Sequence, residues 1–256
     1  GTGTEASLSG EFDLKAEGLG GFYGELLFSG ADLNAWLALE PDGVFHTRQP
    51  APLTIERMTT GIPSRDFQGR VALRMGPRVP LQLRLERPSV KALGGRVRSN
   101  SIELNFDQPI NRFEVELEHI ALDKLLALEQ APVQGFGRVS GILPLQLTEE
   151  GLAMENGQVA AIESGVIRYR PGEEGQALEK SSQNMGLAIA ALRDFRYESL
   201  KARADYAPSG QLDLHIRLMG NNPELFRGRR VQFNINIEEN MFDLLRSLRA
   251  GQTLEG

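Results

Sequence analysis

The sequence predicts a mainly β protein, an antiparallel sheet with one polar and one apolar face and a few short helices. Three observations carry this. Apolar and polar residues alternate strictly over many short runs, the mark of a strand whose two faces see different surroundings. Glycine (28) and proline (13) fall between those runs, as turn punctuation does. Helical spacing occurs only in short pieces.

Along the chain, Leu33, Trp36 and Leu37 form an i, i+3, i+4 set, which predicts a short helix near 31–40. Val79, Leu81, Leu83 and Leu85, with Gln82 and Arg84 between, predict a strand. So do Ile102, Leu104 and Phe106, and then Phe113, Val115 and Leu117. Asp107-Gln108-Pro109 divides those two runs and suggests a hairpin. Leu122, Leu125 and Leu126 predict a second short helix. Leu143, Leu145 and Leu147 return to alternation. Glu149-Glu150-Gly151, Asn156-Gly157, Pro208-Ser209-Gly210 and Asn221-Asn222-Pro223 read as breaks, Asn-Gly being the strongest. A helix is expected over about 182–192, although Gly186 weakens it.

The clearest strands come last. Leu212, Leu214, Ile216 and Leu218 alternate with Asp213, His215 and Arg217. Val231, Phe233, Ile235 and Ile237 alternate with Gln232, Asn234 and Asn236. Met241, Leu244, Leu245 and Leu248 then predict a helix near 240–249, with Glu238, Glu239 and Asn240 as its start. Three of the helices each follow a strand, which suggests a repeating module of strands plus one helix. About two and a half modules are expected, one or more over 1–129 and a C-terminal one over 130–256, with a soft boundary near 130–135. The uneven spacing excludes a fixed-period solenoid.

Composition narrows function. A net charge of −6 argues against a nucleic-acid surface. The chain has no cysteine, so it has no disulfide, thiolate nucleophile or cysteine metal site. No run approaches the roughly 18–20 apolar residues of a membrane span, and no charged-then-apolar leader opens the chain. The ends, 1–4 and 254–256, read as frayed termini, and the chain reads as a piece of something longer.

No catalytic constellation emerges. His46, His119 and His215 are scattered and match no metal-ligand spacing. Ser164, after Ile162-Glu163, lacks the first glycine of a nucleophile elbow. The run Gly135-Phe136-Gly137-Arg138-Val139-Ser140-Gly141 is one residue too long for a dinucleotide fingerprint and leads into a strand, so its glycines read as turns and strand ends. Glu114, Glu116 and Glu118 alternate as a solvated face. Arg227, Arg229 and Arg230 read as a basic loop, with a phosphate headgroup or acidic partner as the sharper reading. No cofactor or metal is called for, and the chain is not expected to be an enzyme.

A half-buried sheet must cover its apolar face. Three or four short helices, each about 10 Å across against strands about 4.8 Å apart, cannot cover a dozen strands. Two solutions stay open on pattern alone. One is a closed sandwich or barrel. The other is a U-shaped sheet that leaves an apolar trough.

The C-terminal half carries a resemblance. Gly137–Leu145, Met154-Glu155-Asn156-Gly157, Gly165–Tyr169, Ala191–Tyr197, Gly220-Asn221-Asn222-Pro223, Gly228–Val231, Asn234-Ile235-Asn236 and Leu244–Leu248 occur in an order that resembles the YdbH family of AsmA-like proteins of Gram-negative bacteria. It covers about 130–249 well and 1–129 only in general character.

The resemblance implies an elongated, twisted antiparallel sheet curled into a U-shaped apolar groove, a repeating β-groove. It implies a periplasmic bridge, anchored in the inner membrane by a segment absent from this chain, that carries phospholipid to the outer membrane. The expected groove lining is Leu81, Leu83, Leu104, Phe106, Val115, Leu117, Leu143, Leu145, Leu212, Leu214, Ile216, Leu218, Phe233, Ile235 and Ile237. The expected partner is a small outer-membrane lipoprotein, YnbE-like, added as a strand. Its docking edge would be Val231, Gln232, Phe233, Asn234, Ile235, Asn236 and Ile237. The alternative is a structural or assembly module with a closed core that binds partners by the same strand addition.

Overall fold

The structure, a computed structural model, describes residues 9–23, 26–59, 61–129, 132–172, 176–177, 179–180 and 182–240. It is mainly β. The strands are β1 (Gly10–Tyr23), β2 (Leu26–Leu39), β3 (Phe45–Thr47), β4 (Ala51–Thr59), β5 (Pro63–Gly76), β6 (Val79–Ala92), β7 (Gly95–Arg98) and β8 (Ser101–Asn105). They continue as β9 (Ile110–Ala121), β10 (Val133–Phe136), β11 (Arg138–Thr148), β12 (Gly151–Ala161), β13 (Gly165–Tyr169), β14 (Phe195–Tyr206), β15 (Gln211–Asn221) and β16 (Val231–Asn240). Among the described residues, the short helices α1 (Leu122–Leu126) and α2 (Gln183–Leu192) stand between strands.

All sixteen strands belong to one hydrogen-bonded sheet. Its main path runs β1-β2-β3-β5-β6-β7-β9-β11-β12-β14-β13-β10. Off that path, β4 bridges β2 and β5, β8 pairs with β6, β15 with β14, and β16 with β15. The β1/β2, β4/β5, β5/β6 and β15/β16 ladders are all antiparallel. Tight turns make this possible. Gly76 pairs with Val79 across the β5–β6 turn, and Ala207 exchanges hydrogen bonds with Gly210 and Gln211 between β14 and β15.

The described residues divide into two compact units, those within 1–92, 96–116 and 144–153 in one, and those within 93–95, 117–143 and 154–240 in the other. In the first, Ala35, Leu37 and Ala51 form a small buried cluster with Leu33, Phe45 and Val71 against it. The second has larger buried groups, Phe195, Tyr197, Ile120 and Val139. There α2 packs on β13. Its start is capped by the Ser182 hydroxyl, which accepts from Met185 N at 3.2 Å. Its end is held by buried Asn222, whose amide donates to Ala190 O and Ala191 O, both at 3.2 Å.

Several expectations change. Residues 31–40 are not a helix, because β2 runs through them. Ala31, Ala35 and Leu37 are buried, Leu33 half-buried, and Asp32, Asn34 and Trp36 exposed, which is strand alternation. Hydrogen bonding from β1 on one side and β3 and β4 on the other overrides the local i, i+3, i+4 spacing. Asn156-Gly157 is not a turn. It is a bulge inside β12, where Asn156 takes φ 59° and the register to β14 slips. Glu238, Glu239 and Asn240 belong to β16, not to a helix start. The helix expected over 240–249 lies, beyond Asn240, outside the described residues. The 182–192 helix is present as α2.

The turn at Asp107-Gln108-Pro109 is present, but β8 pairs with β6, and β9 with β7. What ties the two sides of that turn is the buried side chain of Asn111. Its oxygen accepts from Asn105 N at 2.6 Å and its nitrogen donates to Asn105 O at 3.2 Å.

A crease crosses the first unit, unread in the sequence. Gly30 lies opposite Glu56, and Glu56 opposite Asp66, with left-handed backbone at Gly30 (φ 67°) and Asp66 (φ 54°). At Gly30 a Cβ would stand 2.7 Å from that of Glu56, so only glycine fits. On one side of the crease β2, β4 and β5 turn inward Ala31 and Leu33, Leu53 and Ile55, and Phe67 and Val71. On the other they turn inward Leu26 and Phe28, Met58, and Ser64, with half-buried Ile62 just before β5. The inward parity switches from odd to even, so the strands are re-aimed while an apolar side is kept.

Candidate functional site

The feature that dominates each unit is an apolar sheet face built from cross-strand rows. In the first unit one row is Ala51–Val71–Leu85–Ile102 across β4, β5, β6 and β8, and the next is Leu73–Leu83–Leu104. Phe12 stands opposite Leu37, Ala16 opposite Leu33, and Leu33 opposite Leu53. Phe12 and Phe45 rings lie 5.6 Å apart. In the second unit the rows are Val159–Ala202–Ile216–Ile235, Leu200–Leu218–Phe233, and Gly157–Ala204–Leu214–Ile237.

These rows are only partly covered. Leu83, Leu85, Leu104, Leu214, Ile216, Phe233, Ile235 and Ile237 are all half-buried. Phe12 is 44% exposed, Met75 46% and Leu81 39%. Soluble proteins seldom leave such contiguous apolar surface in water without a binding purpose.

The expected lining residues fall as follows. Leu81 and Leu83 are on β6, Leu104 on β8, Val115 and Leu117 on β9, and Leu143 and Leu145 on β11. Leu212, Leu214, Ile216 and Leu218 are on β15, and Phe233, Ile235 and Ile237 on β16. Phe106 lies just past β8, with its N–H donating to Leu81 O, and its side chain is 55% exposed. Leu218 is the best covered, at 3%. Leu143 reaches the row of Gly157, where an added Cβ would meet its Cδ2.

The sequence reading missed the whole N-terminal part of this face, Phe12, Leu14, Leu33, Ala35, Leu37, Leu53, Ile55, Val71 and Leu73. The signal was present in the alternation Ala31, Leu33, Ala35, Leu37, but it was masked by the helical spacing of Leu33, Trp36 and Leu37.

The opposite face is polar and self-paired. Arg84 meets Glu103 at 3.1 Å and Arg98 meets Glu116 at 2.6 Å. His46 Nε2 lies 2.9 Å from Glu40, and Arg48 pairs with Glu11. His215 Nδ1 meets Asn236 at 2.9 Å. His119, on β9, takes φ 54°, and its N–H donates to the Ser140 hydroxyl. Of the basic loop, Arg230 pairs with Glu198 at 2.7 Å, while Arg227 and Arg229 are exposed. Among the described residues, no group of three or more His, Asp or Glu could hold a metal ion. No helix among them is long and apolar enough to cross a membrane.

Among the described residues, two groups depart from ordinary titration. Burial raises the Tyr197 phenol, with nearby Glu163 adding to the effect, and its O–H donates to Phe136 O at 3.0 Å. Asp66 is lowered, chiefly by its hydrogen bond to Lys91.

The sheet path has a described edge at β16, which pairs with β15 alone among the described residues. Its residues alternate half-buried and exposed from Val231 to Glu238. A family profile described as YdbH-like, "Intermembrane phospholipid transport protein YdbH", matches residues 2–256. The chain belongs to the YdbH-like family. The match takes in the N-terminal half, which resembled the family only in general character. The chain is also similar to the "Probable phospholipid transport protein YdbH" of Escherichia coli (strain K12), 26% identical over 218 residues. That alignment covers 84% of this chain and 24% of the relative, so the chain spans about a quarter of that YdbH protein's length. No solved structure matches the chain.

Proposed function

We propose that this chain is a periplasmic segment of an intermembrane phospholipid bridge, in which the sheet curls into a groove and its apolar face shelters acyl chains. The observation that carries the reading is the half-buried state of the apolar rows, Leu73–Leu83–Leu104 and Val159–Ala202–Ile216–Ile235 among them. Each methylene such a face removes from water is worth about 0.8 kcal/mol, so tails can be held at many positions without a specific site. Weak, distributed binding suits conduction, not catalysis. The bridge runs from an inner-membrane anchor to the outer membrane.

The C-terminal edge strand, Val231–Ile237 of β16, is the docking edge for a small YnbE-like outer-membrane lipoprotein. An edge strand offers unpaired N–H and C=O groups that an added strand satisfies.

Native mass spectrometry of the purified protein tests the reading. Phospholipid should copurify. The Leu214→Glu variant should remain folded and lose the lipid. A wild-type protein free of lipid, or a Leu214→Glu variant that unfolds because a charge enters a sealed core, would point to a closed assembly module.

A further inference from the structure

The polar face beside the β16 edge carries a charge pattern that the strand addition must answer. In β14, β15 and β16, Asp205 stands opposite Asp213, and Asp213 opposite Glu238. Three carboxylates in one row across adjacent strands repel one another, because like charges directly opposite destabilise a sheet. The two inner ones are engaged. Asp205 accepts from Asn156 N at 2.7 Å and sits 3.5 Å from Arg203. Asp213 accepts from Gln211 Nε2 at 3.2 Å. Glu238, on the edge strand, is exposed and has no hydrogen bond or ion pair among the described residues. On the same face the next two rows, Arg203–His215–Asn236 and Lys201–Arg217–Asn234, hold no carboxylate, and Glu239, the next residue of β16, lies opposite Leu212 in a row of the other face.

We infer that the strand added to β16 carries a lysine or arginine directly opposite Glu238 and apolar residues one, three and five positions to one side of it. The basic residue completes the carboxylate row. The apolar residues extend the rows that end at Ile237, Ile235 and Phe233. This pattern holds whichever way the added strand runs, because side chains alternate with a period of two in both directions. The charge fixes register, and register decides which side chains join the apolar face, since a slip by one residue turns them all over. The inference rests on the reading of β16 as a docking edge.

Short capped peptides with this alternation, identical except for Lys, Gln or Glu at the position meant for Glu238, test it against the intact protein by fluorescence anisotropy. The Lys peptide should bind about five-fold more tightly than the Glu peptide, the scale of an opposite-charge against a like-charge cross-strand pair. The Glu238→Lys variant should invert the order. Peptides that bind equally well whatever that residue is, on both proteins, would overturn the inference and leave the docking edge standing. Failure of every peptide to bind would overturn the docking edge itself. Two further results contradict an external strand. One is peptide binding seen only after removal of residues 241–256, which makes the chain's own end the occupant. The other is self-association of the protein that Glu238→Lys abolishes, which makes a second copy the occupant.

Discussion

The start of β14 and the middle of β6 use the same alternation of residues to different ends. At the start of β14, Phe195 and Tyr197 are sealed, at 0% and 1% exposure. Phe195 meets the Phe233 ring edge-to-face at 5.2 Å, and the Tyr197 hydroxyl has a backbone acceptor. On β6, Leu83 is half-buried and Leu81 39% exposed, with aliphatic neighbours on either side. The sealed region uses large aromatic groups, a satisfied hydroxyl and a capped helix. The open region repeats medium-sized aliphatic groups without polar anchors. Alternation reports that a strand has an apolar face, while size and hydrogen bonding report whether protein covers it.

The contrast can be broken most easily at Tyr197. Tyr197→Ala should cost about 3–5 kcal/mol in chemical denaturation, the cost of emptying a packed aromatic site. A loss below about 1 kcal/mol would remove the distinction between sealed and open regions. Next in size is Leu83→Glu. It should cost no more than about 1 kcal/mol, because the charge stays in reach of water, and it should strip copurifying phospholipid. Unfolding of this variant would make β6 part of a sealed core.

Asn222→Ala should cost about 1 kcal/mol, since the last carbonyls of α2 lose their donor. Hydrogen exchange should show the fraying confined to α2. The smallest effect belongs to the Asp66–Lys91 pair beside the crease. Asp66 titrates below its unfolded value, so its contribution is complete above that value and is lost as pH falls through the lower folded one. The stability gap between wild type and Asp66→Asn should therefore be small at neutral pH and shrink below pH of about 4. A gap that grows on acidification would show that Asp66 is not held as an anion.

Much of this was legible in the sequence where the polar–apolar pattern was unbroken. Leu212 to Leu218 and Val231 to Ile237 are strands, as their alternation implied, while their pairing with each other came only from the structure. Ser182 and the apolar run after it gave α2. What was illegible depended on non-local partners. Leu33, Trp36 and Leu37 satisfy a helix and a strand equally well until β1 and β4 claim the backbone. Gly30, Asp66 and Asn156 look like turn residues, and φ > 0 is indeed what they supply, but inside strands, where they redirect the chain without ending it. The occupant of the apolar face left no local mark at all, because a leucine facing a lipid tail and one facing another leucine obey the same pattern.

Photo-crosslinking addresses that occupant directly. A photoreactive amino acid placed at Leu83, on the apolar row, and at its polar neighbour Arg84 should give different products in cells. The account expects phospholipid adducts at position 83 and none at 84. Adducts at neither position, with position 83 instead joined to other residues of the same chain, would contradict it.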